Sequence, residues 1–130
     1  MKRCNTEAKR ILVVEDEVSI RHVFLEILTR EGFEVDVAAN GVEAESKLLV
    51  RDYDLFIIDI KMPEMNGKQL YKKISKKHPE LVDRTVFTSG DVISKDTELF
   101  LRKTERPFLP KPFNSHELMI IIKEILKQAN

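Results

Sequence analysis

The stretch DLFIIDIKMPEMNG, residues 54–67, decides how the rest of the chain is read. Leu55, Phe56, Ile57 and Ile58 form an unbroken β-prone apolar run. That is the pattern of a strand covered on both faces in the middle of a parallel sheet. The run ends on Asp59, with a Pro at 63 and a Gly at 67. A carboxylate at the end of a buried strand loses hydration, which penalises its charge unless a cation stands near it. The remaining sequence must hold the compensating groups.

Working outward, short β-type runs alternate with helical ones. RILVVE (10–15) reads as a strand, and Ile20, Val23, Phe24, Ile27 and Leu28 then form one apolar helical stripe that Gly32 stops. FEVDVA (33–38) alternates like a half-buried strand, and GVEAESKLLVRD (41–52) returns as a helix. After the decisive strand and its loop come the helix GKQLYKKISKKH, ended before Pro79, and the strand RTVFTS (84–89). SKDTELFLRKT (94–104) reads as a helix and PFLP (107–110) as a short fifth strand. The last helix carries the stripe Leu118, Ile121, Ile122, Ile125 and Leu126. Asn114 and Glu117 are spaced for a capping box, and Phe113 and Leu118 for a hydrophobic staple. Met119 and Ile120 widen the stripe, which reads first as extra core and second as a dimer or partner surface.

Five strands alternating with five helices make a (βα)₅ chain, which right-handed crossovers wind into a parallel sheet with helices on both faces. At 130 residues this is one domain, residues 10–130, preceded by a disordered or extended segment, 1–9. An apolar fraction of 42% against 34% charged residues describes a globular chain rather than a disordered one. The 22 basic residues balance the 22 acidic ones, so no global field draws the chain to nucleic acid or to anionic membrane. One cysteine, Cys4, allows neither an internal disulfide nor a cysteine metal cluster. There is no bilayer-length apolar run and no secretory h-region, which predicts a cytoplasmic protein.

In open parallel sheets, ligands bind beyond the carboxyl ends of the strands. Strand one ends in Glu15-Asp16 with Glu17 next, strand three in Asp59 and strand four in Thr88-Ser89, while Lys111 follows strand five. Carboxylate oxygens without His or Cys suit a hard cation, and Mg²⁺ takes one or two carboxylates together with water and phosphate oxygens. A carboxylate is also a nucleophile that can form an aspartyl phosphate. Phosphoryl transfer then needs mainly positioning and neutralisation of the equatorial oxygens, which a metal ion, a Lys and a hydroxyl supply. Asp59 is thus compensated by Mg²⁺ on one side and Lys111 on the other.

With ILVVEDE at the first strand, LFIIDIKMPEMNG at the third, TVFTSGD at the fourth and FLPKPF at the fifth, the chain resembles the receiver domains of two-component response regulators over residues 10–127. The resemblance implies a flavodoxin-like sheet of order 2-1-3-4-5. It also implies that Asp59 accepts a phosphoryl group from a phosphohistidine on a histidine kinase or histidine phosphotransfer protein. Asp16, Asp59 and the backbone carbonyl of Lys61 would hold Mg²⁺ (or Mn²⁺ as a substitute), with Glu15 contributing directly or through a water. Thr88 and Lys111 would bind the phosphoryl oxygens. As a switch, Thr88 would move toward the phosphoryl group and Phe108 turn inward. Partners would read the face made by the fourth helix, fifth strand and fifth helix, which is also a possible homodimer surface. Such a protein catalyses its own phosphoryl uptake and slow loss rather than turnover of a free substrate. Family members often carry two Asp residues where this chain has Glu15-Asp16, and often Tyr where it has Phe108. The family also suggests a cis bond before Pro112.

Competing readings fit less well. A metal-dependent phosphatase would resemble D-x-D at its nucleophile, whereas Asp59-Ile60-Lys61 lacks the second acid. A flavin carrier needs a phosphate-receiving loop after strand one, where Glu15-Asp16-Glu17 would repel the phosphate. A silent interaction module would not need the full set of acceptor-site residues. Lys68, Lys72, Lys73, Lys76 and Lys77 read first as a solvated helix face and second as a site for an acidic partner. His22, His78 and His116 have no metal-ligand spacing and read as surface positions, while Phe24, Phe33, Phe56, Phe87 and Phe100 read as core. With no second domain expected after residue 127, output would run through protein contacts or a domain outside this chain. TELFLRKTERPFLPKPF looks like receivers attached to hybrid histidine kinases.

Overall fold

The decisive apolar run forms β3 (Leu55–Asp59), and all five of its residues are buried. In the computed structural model, which describes residues 8–61, 66–90 and 94–128, β3 lies at the centre of a five-stranded parallel sheet. The other strands are β1 (Arg10–Val14), β2 (Glu34–Ala38), β4 (Thr85–Ser89) and β5 (Phe108–Pro110). Their order is β2-β1-β3-β4-β5, as expected. Register places Val14 beside Ile58 and Asp59 beside Thr88, so the carboxyl ends of the three central strands are level.

The helices are α1 (Val18–Arg30), α2 (Gly41–Leu48), α3 (Gly67–Lys77), α4 (Lys95–Thr104) and α5 (Ser115–Gln128). They sort onto the two faces because successive strand side chains point to opposite sides. Ile11, Val13, Leu55, Ile57 and Val86 pack with Phe24 and Leu28 of α1 and Leu118, Ile122 and Ile125 of α5. Leu12, Val14, Phe56, Ile58 and Phe87 pack with α2 and α3, and the partly buried Phe100 and Leu101 of α4 join them. Among the described residues no helix is long and apolar enough to cross a membrane.

Several local signals act as read. Gly32 takes φ +94° after α1, and its N–H donates to the Thr29 carbonyl while that of Phe33 donates to Leu28. The left-handed backbone there is accessible to Gly at little cost. At α5 the Glu117 N–H donates to Asn114 and the Asn114 N–H to Glu117, a reciprocal capping box. Phe113 stacks on Phe24 at 4.7 Å and belongs to the same apolar cluster as Leu118. The Lys111–Pro112 bond is cis.

Other expectations need correction. The second helix stops at Leu48 rather than Asp52, because the N–H groups of Val50 and Arg51 turn back onto the Lys47 carbonyl. The turn delivers Tyr53 into the core, where its hydroxyl donates to Asp36 at 2.6 Å. A short 3₁₀ segment, Pro79–Arg84, follows α3 and buries Leu81. Apolar periodicity does not signal so short an element. Glu15 lies just past β1, although its N–H still donates to the Ala38 carbonyl. Met119 packs partly against the core, but Ile120 is exposed. His22 and His116 are exposed and His78 half-buried; Phe24, Phe56 and Phe87 are fully buried, Phe33 and Phe100 partly. Of the N-terminal segment only Ala8 and Lys9 fall within the described residues, and Met62 to Met65 of the decisive stretch fall outside them.

Candidate functional site

Glu15 and Asp16 follow β1, Asp59 ends β3, Thr88 lies beside it in β4, and Lys111 follows β5. The sheet therefore brings Glu15, Asp16, Asp59, Thr88 and Lys111 together at its carboxyl edge. Carboxylate oxygens of Glu15, Asp16 and Asp59 lie within 4.8 Å of one another. Glu15 and Asp59 are buried, while Asp16 is more open to solvent.

The loops are fixed by backbone contacts. Arg21 donates from α1 to the carbonyls of Glu15 and Asp16 at 3.0 and 3.3 Å. The Glu17 N–H donates to Glu15 Oε2 at 3.2 Å, and the Lys61 N–H to Asp59 Oδ1 at 3.1 Å. On the far side of the loop, Asn66 and Gln69 form a second capping box that starts α3. Its N-x-x-Q spacing was readable as such a box. Gly67 closes the loop against β3, its N–H donating to the Ile60 carbonyl at 2.9 Å. A Cβ at Gly67 would meet the Asp59 carbonyl oxygen at 2.5 Å and Ile60 Cα at 2.8 Å, so no other residue fits without a backbone shift.

Lys111 answers the carboxylates, but not with the expected preference. Its Nζ lies 2.5 Å from Glu15 Oε1 and 3.4 Å from Asp59 Oδ2. Burial works against the ammonium charge, and the two carboxylates outweigh it, so its pKa is raised and it stays charged. Asp59 is also pushed up, to about 7, which for a carboxylate disfavours the charged form. Burial is the main cause; the neighbouring Glu15 adds its charge and a hydrogen bond, and Lys111 and the Lys61 amide oppose the shift. A single lysine thus leaves this carboxylate cluster undercompensated. Apart from its contact with Lys111, the buried Oε1 of Glu15 has no hydrogen-bond partner. An all-oxygen donor set with surplus negative charge fits a hard divalent cation.

Thr88 is fully buried, and its hydroxyl donates to the Leu109 carbonyl of β5 at 2.7 Å. Phe108 is half-buried against the cluster that holds Phe87, its neighbour in β4. The side chain of Lys61 is exposed.

A family model described as "Response regulator receiver domain" matches residues 11–123. The chain is 35% identical over 120 residues to a transcriptional regulatory protein CpxR homolog of Haemophilus influenzae, covering 92% of this chain and 51% of that protein. It is 33% identical to the sensor kinase CckA of Brucella abortus, over 92% of this chain and 13% of that one. It therefore spans about half or less of these relatives' length. Among solved structures, it matches the response regulator protein TrrA of Thermotoga maritima, in complex with Mg(2+)-BeF, with TM-score 0.78 and 35% identity, covering 90% of this chain and 98% of that one. With the family matched across nearly all of the sheet and its helices, the chain belongs to the response regulator receiver domains of two-component signalling.

Proposed function

We propose that Asp59 is the phosphoacceptor of this receiver, and that Glu15, Asp16, Asp59 and the Lys61 carbonyl hold Mg²⁺, with Mn²⁺ as a substitute. The observation that carries the reading is the buried Asp59 carboxylate, pushed up to about 7, with Lys111 at 3.4 Å and Thr88 beside it in register. The TrrA complex with Mg(2+)-BeF supports the choice of ion by likeness. When bound, the dication would neutralise the carboxylates and draw charge from the phosphoryl oxygens.

A carboxylate oxygen of Asp59 attacks the phosphorus of a phosphohistidine on a histidine kinase or histidine phosphotransfer protein. The P–N bond breaks, its electron pair returns to the imidazole, and a P–O bond to Asp59 forms. Lys111, already charged, moves its ammonium from the carboxylates onto a phosphoryl oxygen. The Thr88 hydroxyl leaves the Leu109 carbonyl for a second oxygen, and Phe108 turns inward into the space released. Water later attacks the phosphorus, restoring Asp59 and releasing inorganic phosphate. The face of α4, β5 and α5 carries the change to a partner, or to a domain outside this chain.

Intact mass after incubation with acetyl phosphate tests the reading. One phosphoryl adduct is expected with Mg²⁺, and none without the metal or with Asp59→Asn. An adduct that persists in Asp59→Asn would overturn the assignment.

A further inference from the structure

Away from the acceptor edge, α2 and α3 form a surface whose charge and hydrophobicity the phosphoryl chemistry does not use. All five charged residues of α3 are lysines, 68, 72, 73, 76 and 77, although the whole chain is neutral. Lys68 is spoken for, its ammonium lying 5.8 Å from the centre of the Phe100 ring. Beside Lys73 and Lys77, Val42 and Glu45 of α2 and its C-cap residue Leu49 follow at i, i+3 and i+7. Leu49 is 83% exposed and Val50 77%, more than any other large apolar side chain among the described residues.

Between the helices runs a groove of about 100 Å³, lined by Glu45, Leu48, Leu49, Lys73, Ile74, Lys77 and His78. Glu45 is the one carboxylate in that lining, and it faces two ammonium groups, Lys73 at 3.3 Å and Lys77 at 3.7 Å. The groove thus has an apolar floor, a cationic rim and room for about one aliphatic side chain.

We propose that this α2–α3 groove is a docking site for an acidic amphipathic segment of a protein partner, distinct from the face that reports phosphorylation. One apolar side chain of the partner enters between Leu48, Leu49 and Ile74, and its carboxylates pair with Lys73 and Lys77. Charge complementarity sets the sign of the partner. The concavity and apolar floor select a peptide over nucleic acid, whose phosphates gain nothing from the floor, and over a flat bilayer. The rim charges are exposed, so they contribute rate and specificity and are screened by salt.

The test titrates three probes into the isotope-labelled full chain, followed by NMR. They are a helical peptide with a Leu stripe flanked by Glu, its counterpart with Lys for Glu, and vesicles of mixed zwitterionic and anionic lipid; a short DNA duplex is run in parallel. The acidic peptide is expected to shift the amides of Leu48, Leu49, Lys73 and Ile74. Affinity should fall at least tenfold in Lys73→Glu/Lys77→Glu and in Leu49→Gln, and the doubly reversed chain should gain binding to the basic peptide. Mg²⁺-dependent phosphoryl uptake should stay unchanged in these variants, which separates a failure here from a failure at Asp59. Three results would overturn the proposal: no shifts with acidic peptide on the order of 1 mM, shifts that map elsewhere, or tighter binding of vesicles or DNA that survives Leu49→Gln.

Discussion

Gly67 and Phe108 each make a prediction from a single residue. A methyl group at 67 would sit 2.5 Å from the Asp59 carbonyl oxygen, a backbone atom that cannot rotate away. Gly67→Ala must push α3 off the end of β3, at a cost of about 1–3 kcal/mol. It also moves the loop that holds the Asp59 carboxylate through the Lys61 amide. We expect a lower unfolding midpoint and slower uptake from acetyl phosphate, the latter measured on protein still fully folded. Phe108 has no hydroxyl to bury, so turning inward costs it less than it would cost Tyr. A hydroxyl buried without a partner costs about 1–3 kcal/mol. Phe108→Tyr should therefore reduce the phosphorylation-induced amide shifts of Thr88 and Leu109, and unchanged shifts would refute this account. The charged members of the site were legible because each follows an apolar run at the same edge of an alternating chain. The need for Gly at 67 was not, since it arises from the approach of two segments in space. The 2.5 Å contact of Glu15 with Lys111 was missed for the same reason, because sequence order pairs Lys111 equally with any carboxylate of that edge.

Among the elements, α4 is the least anchored. It has no fully buried residue, whereas α3 buries Leu70, Tyr71 and Ile74, and α5 buries Leu118, Ile122 and Ile125. Its hold on the sheet is the partly buried Leu101 together with Phe100, whose ring meets Tyr71 at 5.9 Å and Phe87 at 5.2 Å. Segments with few buried apolar contacts open locally at lower free energy than the global unfolding reaction. Amide hydrogen exchange within α4 should therefore run faster than in α3 or α5, and Phe100→Ala should speed it further with little effect on α5. Equal protection in the three helices would show that α4 opens only with the whole domain. Apolar patterning in the sequence marked all five helices and five strands, because each turns apolar side chains toward the sheet core. It misjudged the end of α2, where Leu49 and Val50 continue an apolar pattern that the fold leaves in solvent. The turn there is set by Tyr53, whose burial and bond to Asp36 belong to tertiary structure.

At the scale of the molecule, the candidate site opposes the stability of the fold it sits in, and pH reveals how much. In the unfolded chain Asp59 titrates near the usual carboxylate value of 3.8, and in the metal-free folded chain near 7. Below about pH 4 the group is protonated in both states and contributes no slope. Between about 4 and 7 the folded state holds the proton more tightly, so stability falls as pH rises through that window and levels off above it. Asp59→Asn removes this dependence while keeping the shape of the side chain. The thermal midpoints of the two proteins should therefore nearly coincide at pH 4. A rise from 3.8 to about 7 corresponds to about 4 kcal/mol, so by pH 8 the metal-free parent should lie lower by roughly 10 °C or more, at about 2–6 °C per kcal/mol in a domain of this size. A divalent cation binds the ionised carboxylates of the folded state and stabilises it by mass action. Millimolar Mg²⁺ should thus raise the parent midpoint more at pH 8 than at pH 5 and leave Asp59→Asn less affected. Parallel pH curves for the two proteins without metal would mean that Lys111 and the Lys61 amide already offset burial and Glu15 at Asp59, leaving the cation nothing to neutralise.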